Sequence, residues 1–417
     1  MRDELLYYIN YTNRLSVEMT FNSNSNIQNF HTIERLPPYV FAEVNKLKAE
    51  ARKQGKDIID FGMGNPDAPT PPHIVEKLIE SINNPKTHGY SVSRGILGLR
   101  KAQSAYYKRR FGVDLDTDSE IVATLGSKEG FASTVKAITK PGDTILVPSP
   151  SYPIHTFGFI IAEASVRTVP NNANQTTLVQ QIKEEIENCS PKPTSIVLNY
   201  PCNPTAETVS LDFYEEIVSL CKHYGVYILS DLAYCEIYFN DSPPPSILQV
   251  KGAKDIAVEF TSVSKTYSMA GWRIGFACGN KKLIHALTRI KSYLDYGAFT
   301  PIQIAATAAL NGPDDCIIEA RQRYKDRRDT LVSGLKDAGW DIASPEATMF
   351  AWAQIPEKYR HLGSLEFSKL LLEHANVAVA PGIGFGKEGD DFVRIGLVEN
   401  KKRIRQATKN IRQFLQK

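Results

Sequence analysis

The chain has 417 residues, with 49 lysines and arginines against 46 aspartates and glutamates, a formal net charge of +3. That length exceeds the roughly 250 to 300 residues one hydrophobic core usually serves, so two packed domains are expected. The near balance of charge excludes a strong field of either sign, and with it nucleic acid or a membrane surface as an expected partner.

Residues 1–30 open with MRDELLYYINYTNRL, which carries early acids and no secretory apolar core, and close on the polar stretch FNSNSNIQNF. Such a segment has too little apolar surface to offset its ordering entropy, which predicts a flexible tail. Asn10, Tyr11 and Thr12 match a glycosylation acceptor pattern, but without a secretory signal the match carries no weight; Met19 offers a second start. No run approaches the roughly 20 apolar residues of a membrane span. Cys189, Cys202, Cys221, Cys235, Cys278 and Cys316 form no CxxC pair and have no histidines at zinc-ligand spacing. They predict reduced thiols, no metal site and a cytoplasmic location.

From about Glu120, short apolar runs alternate with longer amphipathic segments: IVATL, TILVPSP, SVRTV, SIVLNY, VYILSD, IAVEFTSV and RIGFACG. These predict seven buried strands. Between them EGFASTVKAITK and LDFYEEIVSLCKHYG have helical spacing, with Gly225 at an expected helix stop. The alternation implies an α/β fold with a mostly parallel seven-stranded sheet. Beyond it, EARQRYKDRRDTLVSGLKDAGW reads as a long charged helix that leads into a smaller α/β domain, which RLPPYVFAEVNKLKAEARKQG from the other chain end would join. The expected division is a tail at 1–30, small-domain segments at 31–73 and 331–417, and a large domain at 74–330.

In an open parallel sheet, ligands bind beyond the carboxyl ends of the strands, and reactive residues fall there four times. In TLGSKEG, Gly126 turns the chain and a helix starts near Ser127, which offers free N–H groups to a phosphate; a plain helix cap explains the pair equally well. In NYPCNPT, Asn203 and Pro204 force a turn that aims an amide at the ligand space, or form an ordinary Asn-Pro turn. Asp231 closes the apolar strand VYILSD, where a carboxylate is costly unless a cation or donors meet it; Tyr234 follows three residues later. In TSVSKTYSMAGWRIG, Lys265 follows an apolar strand, flanked by Ser262, Ser264 and Thr266, with Arg273 eight residues on. Most lysines are merely solvated, but this setting favours an amine nucleophile held in a pocket.

With these residues in this order, the chain from about Arg35 to its C-terminus resembles the fold type I aminotransferases of classes I and II. The resemblance implies pyridoxal 5'-phosphate as cofactor, bound to Lys265 as a Schiff base, with Asp231 as partner of the pyridinium nitrogen. It also implies that Tyr234 and Asn203 donate to the ring hydroxylate. Ser127, Lys128, Ser262 and Arg273 correspond to the phosphate cup, with Ser264 among the cofactor contacts, and Tyr152 of PSPSYPIH to the ring stacked on the cofactor face. Arg394 of FVRIGLV corresponds to the arginine that grips the substrate carboxylate, a group Gly64 of GMGNPD would also contact. Tyr90 of HGYSVSRG matches a tyrosine that reaches the neighbouring subunit's phosphate, which implies a homodimer. Two positions depart from the family pattern: Ala206 stands where glycine is frequent after NPT, and Leu232 replaces the usual acid after Asp231.

GFGKEG, residues 384–389, has the GxGxxG spacing of a dinucleotide site, but DDFVRIGLV follows as a strand rather than a helix, so no helix N-terminus is offered to a pyrophosphate. A regulator with an aminotransferase-like domain needs a DNA-binding module that about 30 polar residues cannot encode. Carbon–sulfur lyases share the cofactor residues and are the strongest alternative. The wording of RLPPYVFAEV, LGSKEGFA, PSPSYPIH and LVENKKRIRQA resembles the bacterial alanine aminotransferase branch. Residues 290–301 contain Lys291 and Asp295 and no arginine to clamp a second carboxylate. Alanine with 2-oxoglutarate is therefore the expected pair, ahead of aspartate and diaminopimelate, with Lys128 or Arg35 available for glutamate's distal carboxylate.

Overall fold

The computed structural model describes residues 30–171 and 174–416. The expected tail, the acceptor tripeptide at Asn10 and the second start at Met19 lie outside them. Twelve strands are present among the described residues: β1 (Ile59–Asp60), β2 (Ile121–Thr124), β3 (Thr144–Ser149), β4 (Ser165–Pro170), β5 (Ser195–Asn199), β6 (Tyr227–Asp231), β7 (Ala257–Ser262), β8 (Gly275–Gly279), β9 (Phe350–Gln354), β10 (Val377–Ala378), β11 (Ala380–Pro381) and β12 (Phe392–Gly396).

Each of the seven apolar runs forms a strand of one sheet, in the order β2-β8-β7-β6-β5-β3-β4. Pairing is parallel from β4 to β7, whereas β8 runs antiparallel to both of its neighbours. Helices cover both faces, which is why the strands read as unbroken apolar runs. The expectation of seven buried strands fails at β4, an edge strand that is half exposed and carries Arg167 outward. The helix Leu211–Tyr224 begins on Ser210, whose hydroxyl accepts the Phe213 N–H, and stops at Gly225 with φ of +70°.

The charged helix spans Asp315–Asp337, starting four residues earlier than its motif and running through residue 330. Its inner face packs Tyr324, Leu331 and Leu335 into a second apolar cluster with Ile59, Phe61, Phe350, Val377, Val393 and Ile404. Residues from both ends of the chain thus share that core. Around it, β9, β12 and β11 form a three-stranded antiparallel sheet, and β1 pairs with β10 in parallel. The glycines at 384–389 lie in two short 3-10 turns ahead of β12, with no helix after them. No helix among the described residues is long and apolar enough to cross a membrane.

Candidate functional site

Strand direction gathers the site. The chain leaves β2 into Gly126 and Ser127, β5 towards Asn203, β6 at Asp231 and β7 towards Lys265, all at one edge of the sheet. Because β8 runs in reverse, its first residue lies at that same edge: Gly275 pairs with Thr124 on one side and Ser262 on the other, which brings Arg273 to the turn after β2. Two glycines permit the approach. A Cβ on Gly275 would stand 2.6 Å from the Ser127 nitrogen, and one on Gly126, at φ of +92°, would stand 2.2 Å from Arg273 Nη2. Gly126 caps the helix Ser127–Ile138 and no side chain caps it, so the Ser127 hydroxyl is not used as an N-cap.

A cavity of about 600 Å³ opens over this edge, and its lining includes Gly64, Ser127, Lys128, Tyr152, Asn203, Asp231, Tyr234, Ser262, Ser264, Lys265, Arg273 and Arg394. Twelve of the thirteen expected site residues are therefore brought together. The exception is Tyr90, which is 89 % exposed, packs on Tyr296 with ring centroids 4.8 Å apart and planes tilted by 37°, and does not line this cavity.

Lys265 Nζ donates to the Gly64 carbonyl at 2.5 Å and has no acidic partner among the described residues. Burial, with help from the Arg394 and Arg273 charges, lowers its pKa from the ordinary 10.5 to about 8. A drop of 10.5 − 8 = 2.5 raises the free-amine fraction at pH 7 by about 300-fold. Amine-acylating reagents are accordingly expected to label Lys265 of the cofactor-free chain with a pH midpoint near 8. Peptide mapping of the labelled chain checks this, and a midpoint near that of surface lysines would refute the pocket effect.

Arg394, on β12, is buried between the rings of Phe350 and Phe385, whose centroids lie 4.0 and 4.7 Å from its guanidinium carbon. Nη1 donates to Asn203 Oδ1 at 2.7 Å and Nη2 to the Gly62 carbonyl at 3.2 Å, while the buried Nε has no partner. Burial lowers its pKa to about 10, so it stays cationic at neutral pH, yet no carboxylate among the described residues pairs with it. A buried cation without a counter-ion is costly, so Arg394 is suited to receive an anion. Asp231 differs: its Oδ2 lies 3.0 Å from His155 Nε2, and its Oδ1 accepts the Ala233 N–H. Burial pushes the phenols of Tyr152 and Tyr234 above their usual range, which keeps them protonated as donors.

Residues 56–411 match the family model described as aminotransferase class I and II. The chain belongs to that family. AatC of Rhizobium meliloti (strain 1021), a candidate aminotransferase, is 59 % identical over 93 % of this chain and 96 % of its own. The glutamate-pyruvate aminotransferase AlaC of Escherichia coli (strain K12) is 53 % identical, over 92 % and 93 % of the two chains. The substrate-bound structure of BacF from Bacillus subtilis superposes with a TM-score of 0.85 at 35 % identity, covering 93 % of this chain and 98 % of that one.

In this aminotransferase several site residues carry no mark in the sequence. His155 is fully buried and holds Asp231, and its signal was its place one helical turn after Tyr152 in PSPSYPIH. The carbonyl that meets Arg394 belongs to Gly62, while Gly64 meets Lys265 and packs on Phe350. Phe350 and Phe385, which sandwich the arginine, come from segments with no shared motif. Of the two departures from the family pattern, Ala206 adopts φ of +64°, a left-handed strain of about 1 to 2 kcal/mol that glycine would avoid. Leu232 is fully buried in the main core.

Proposed function

We propose that the cavity takes pyridoxal 5'-phosphate, held covalently by Lys265, and that the enzyme moves the amino group between alanine and 2-oxoglutarate. The fit rests on this chain's own donors. The Gly126 turn and the start of the helix Ser127–Ile138 offer free N–H groups, and Ser127, Ser262, Ser264 and Arg273 surround them, a donor set suited to a phosphate. When bound, the cofactor supplies an electron sink that stabilises negative charge on the substrate's α carbon. Once the substrate's amino group has displaced it from the cofactor, the free Lys265 Nζ would take the proton from that carbon and return it. Asp231, held in one orientation by His155, favours a protonated nitrogen opposite it. Tyr234 and Asn203 would donate to the ring oxygen, Tyr152 would supply an aromatic surface to the ring, and Arg394 would grip the substrate carboxylate with its planar fork. The unpaired, buried Arg394 is the observation that carries the reading.

The choice of substrate follows from which cations are spare. Lys291 is fully buried and paired with Glu129 and Asp295, so it cannot clamp a side-chain carboxylate. Arg35 donates to the Ala164 carbonyl and does not line the cavity. Lys128 lines it and among the described residues has only the Tyr152 ring, 5.7 Å away, as a partner, which favours it for glutamate's distal carboxylate. A single lysine in place of a bidentate clamp favours small neutral donors over aspartate, whose side chain would forgo about 2 to 5 kcal/mol. The name of the E. coli relative supports the same pair. Across a panel of donors, alanine with 2-oxoglutarate is expected to give the highest kcat/KM, and aspartate ahead of alanine by tenfold or more would overturn the choice. A lyase, the competing reading, should not convert with glutamate to the pyridoxamine form while releasing 2-oxoglutarate.

The proposal also includes a homodimer in a cytoplasmic setting. Tyr90, Val92, Tyr293, Tyr296 and Phe299 form an exposed apolar group suited to a second copy, and the six cysteines carry no disulfide. A large domain at 74–330 with a smaller one at 31–73 and 331–417 is supported by two apolar clusters that lie wholly within 74–330 and by a third that joins residues 59–61 to 331–414, into which Tyr234, Ile237, Phe239 and Tyr324 of the large segment also pack.

A further inference from the structure

Lys291 is the most deeply buried lysine of the described residues, with a side chain that is 0 % exposed. Its Nζ lies 2.8 Å from Asp295 Oδ2 and 3.3 Å from Glu129 Oε2. Glu129 stands in the first turn of the helix Ser127–Ile138, and the same Oε2 accepts the Leu125 N–H at 2.8 Å, while its Oε1 accepts the Ser133 hydroxyl. The carboxylate thereby fixes the chain on both sides of the Gly126 turn. The Leu125 carbonyl in turn accepts Arg273 Nη2. On the other side of Lys291, Asp295 Oδ1 accepts the Gly297 N–H at 2.6 Å and its carbonyl accepts the Ser93 hydroxyl. Gly297, at φ of +78°, packs against the Val92 carbonyl so closely that a Cβ would stand 2.5 Å from it. This ties the cluster to the loop that carries Tyr90 and Tyr296.

A carboxylate two residues from Ser127 is useful for holding the turn but repels any anion placed there. One buried ammonium between two partly exposed carboxylates reduces the local charge from −2 to −1 and donates to both. We propose that Lys291 is a positioning residue for the anion site: it offsets the charge of Glu129, so that Glu129 can brace the Gly126 turn without driving off a phosphate. Lys291 touches no ligand in this scheme. The inference rests on the reading that this turn receives the phosphate of the cofactor.

The test compares binding of pyridoxal 5'-phosphate and of unphosphorylated pyridoxal to the full-length chain stripped of cofactor. Lys291→Met is expected to weaken pyridoxal 5'-phosphate binding by tenfold or more while changing pyridoxal binding by less than threefold. The double variant Glu129→Gln/Lys291→Met removes one charge of each sign, returns the cluster to −1 and leaves an acceptor for Leu125, so binding is expected within threefold of the parent. Should the single variant not fold, the double variant and Glu129→Gln carry the test, because each is expected to bind pyridoxal 5'-phosphate as tightly as the parent or more so. Equal losses for both aldehydes in Lys291→Met, or a tenfold loss in either of the other variants, would overturn the inference. A parent chain with no preference for the phosphorylated aldehyde would instead remove the phosphate reading beneath it.

Discussion

Lys265→Ala is expected to lose at least about 10⁴-fold in kcat, because in the proposed reading one side chain both holds the cofactor and moves the proton at the α carbon. The fold should survive. Among the described residues the lysine has one hydrogen bond, to the Gly64 carbonyl, and its pKa falls from 10.5 to about 8 on burial. Between those two pH values the unfolded chain holds a proton that the folded chain has released, so stability of the cofactor-free protein rises with pH across that window. Below pH 8 both states are protonated and the cost of burying the charge is present in full. Alanine removes that cost. At pH 7 the variant is therefore expected to melt no lower than the parent, and its relative advantage should shrink as pH rises from 8 to 10.5. Thermal melts of both chains across that range check the sign, and a variant that melts well below the parent at pH 7 would contradict it.

Arg394→Leu is the second large effect. Leucine fits between Phe350 and Phe385 and removes a buried charge that no carboxylate of the described chain offsets, so stability should change little. Binding is another matter. Truncating one partner of a buried charged pair costs about 2 to 5 kcal/mol, so kcat/KM for alanine should fall between about 30-fold and several thousand-fold. The loss should be specific to the carboxylate: the advantage of alanine over ethylamine, its decarboxylated counterpart, is expected to disappear in the variant. An alanine kcat/KM within threefold of the parent would show that Arg394 faces something else.

The sheet was legible because strands buried on both faces have nothing polar to interrupt them, so IVATL, SIVLNY, VYILSD and the rest stand out as apolar runs. The same burial made their final residues conspicuous. Asp231 at the end of β6 and Lys265 three residues beyond the end of β7 are the wrong chemistry for such apolar surroundings unless something meets them, and both line the cavity. Less legible was anything that depends on contact between distant segments. Nothing around Phe350 or Phe385 announces that they flank Arg394, and nothing in IKSYLDYGAFTP reveals that Lys291 turns inward to Glu129, 162 residues earlier. β4 misled because an edge strand and a central one can share the same composition, and exposure is decided by neighbours.

The central claim is that Lys265 carries the cofactor, and reductive trapping tests it most directly. The native protein would be reduced with borohydride, digested and mapped by mass spectrometry for lysines that bear the reduced pyridoxyl phosphate group. The account predicts that group on Lys265 and on no other lysine, and its appearance on a different lysine, with Lys265 unmodified, would contradict it.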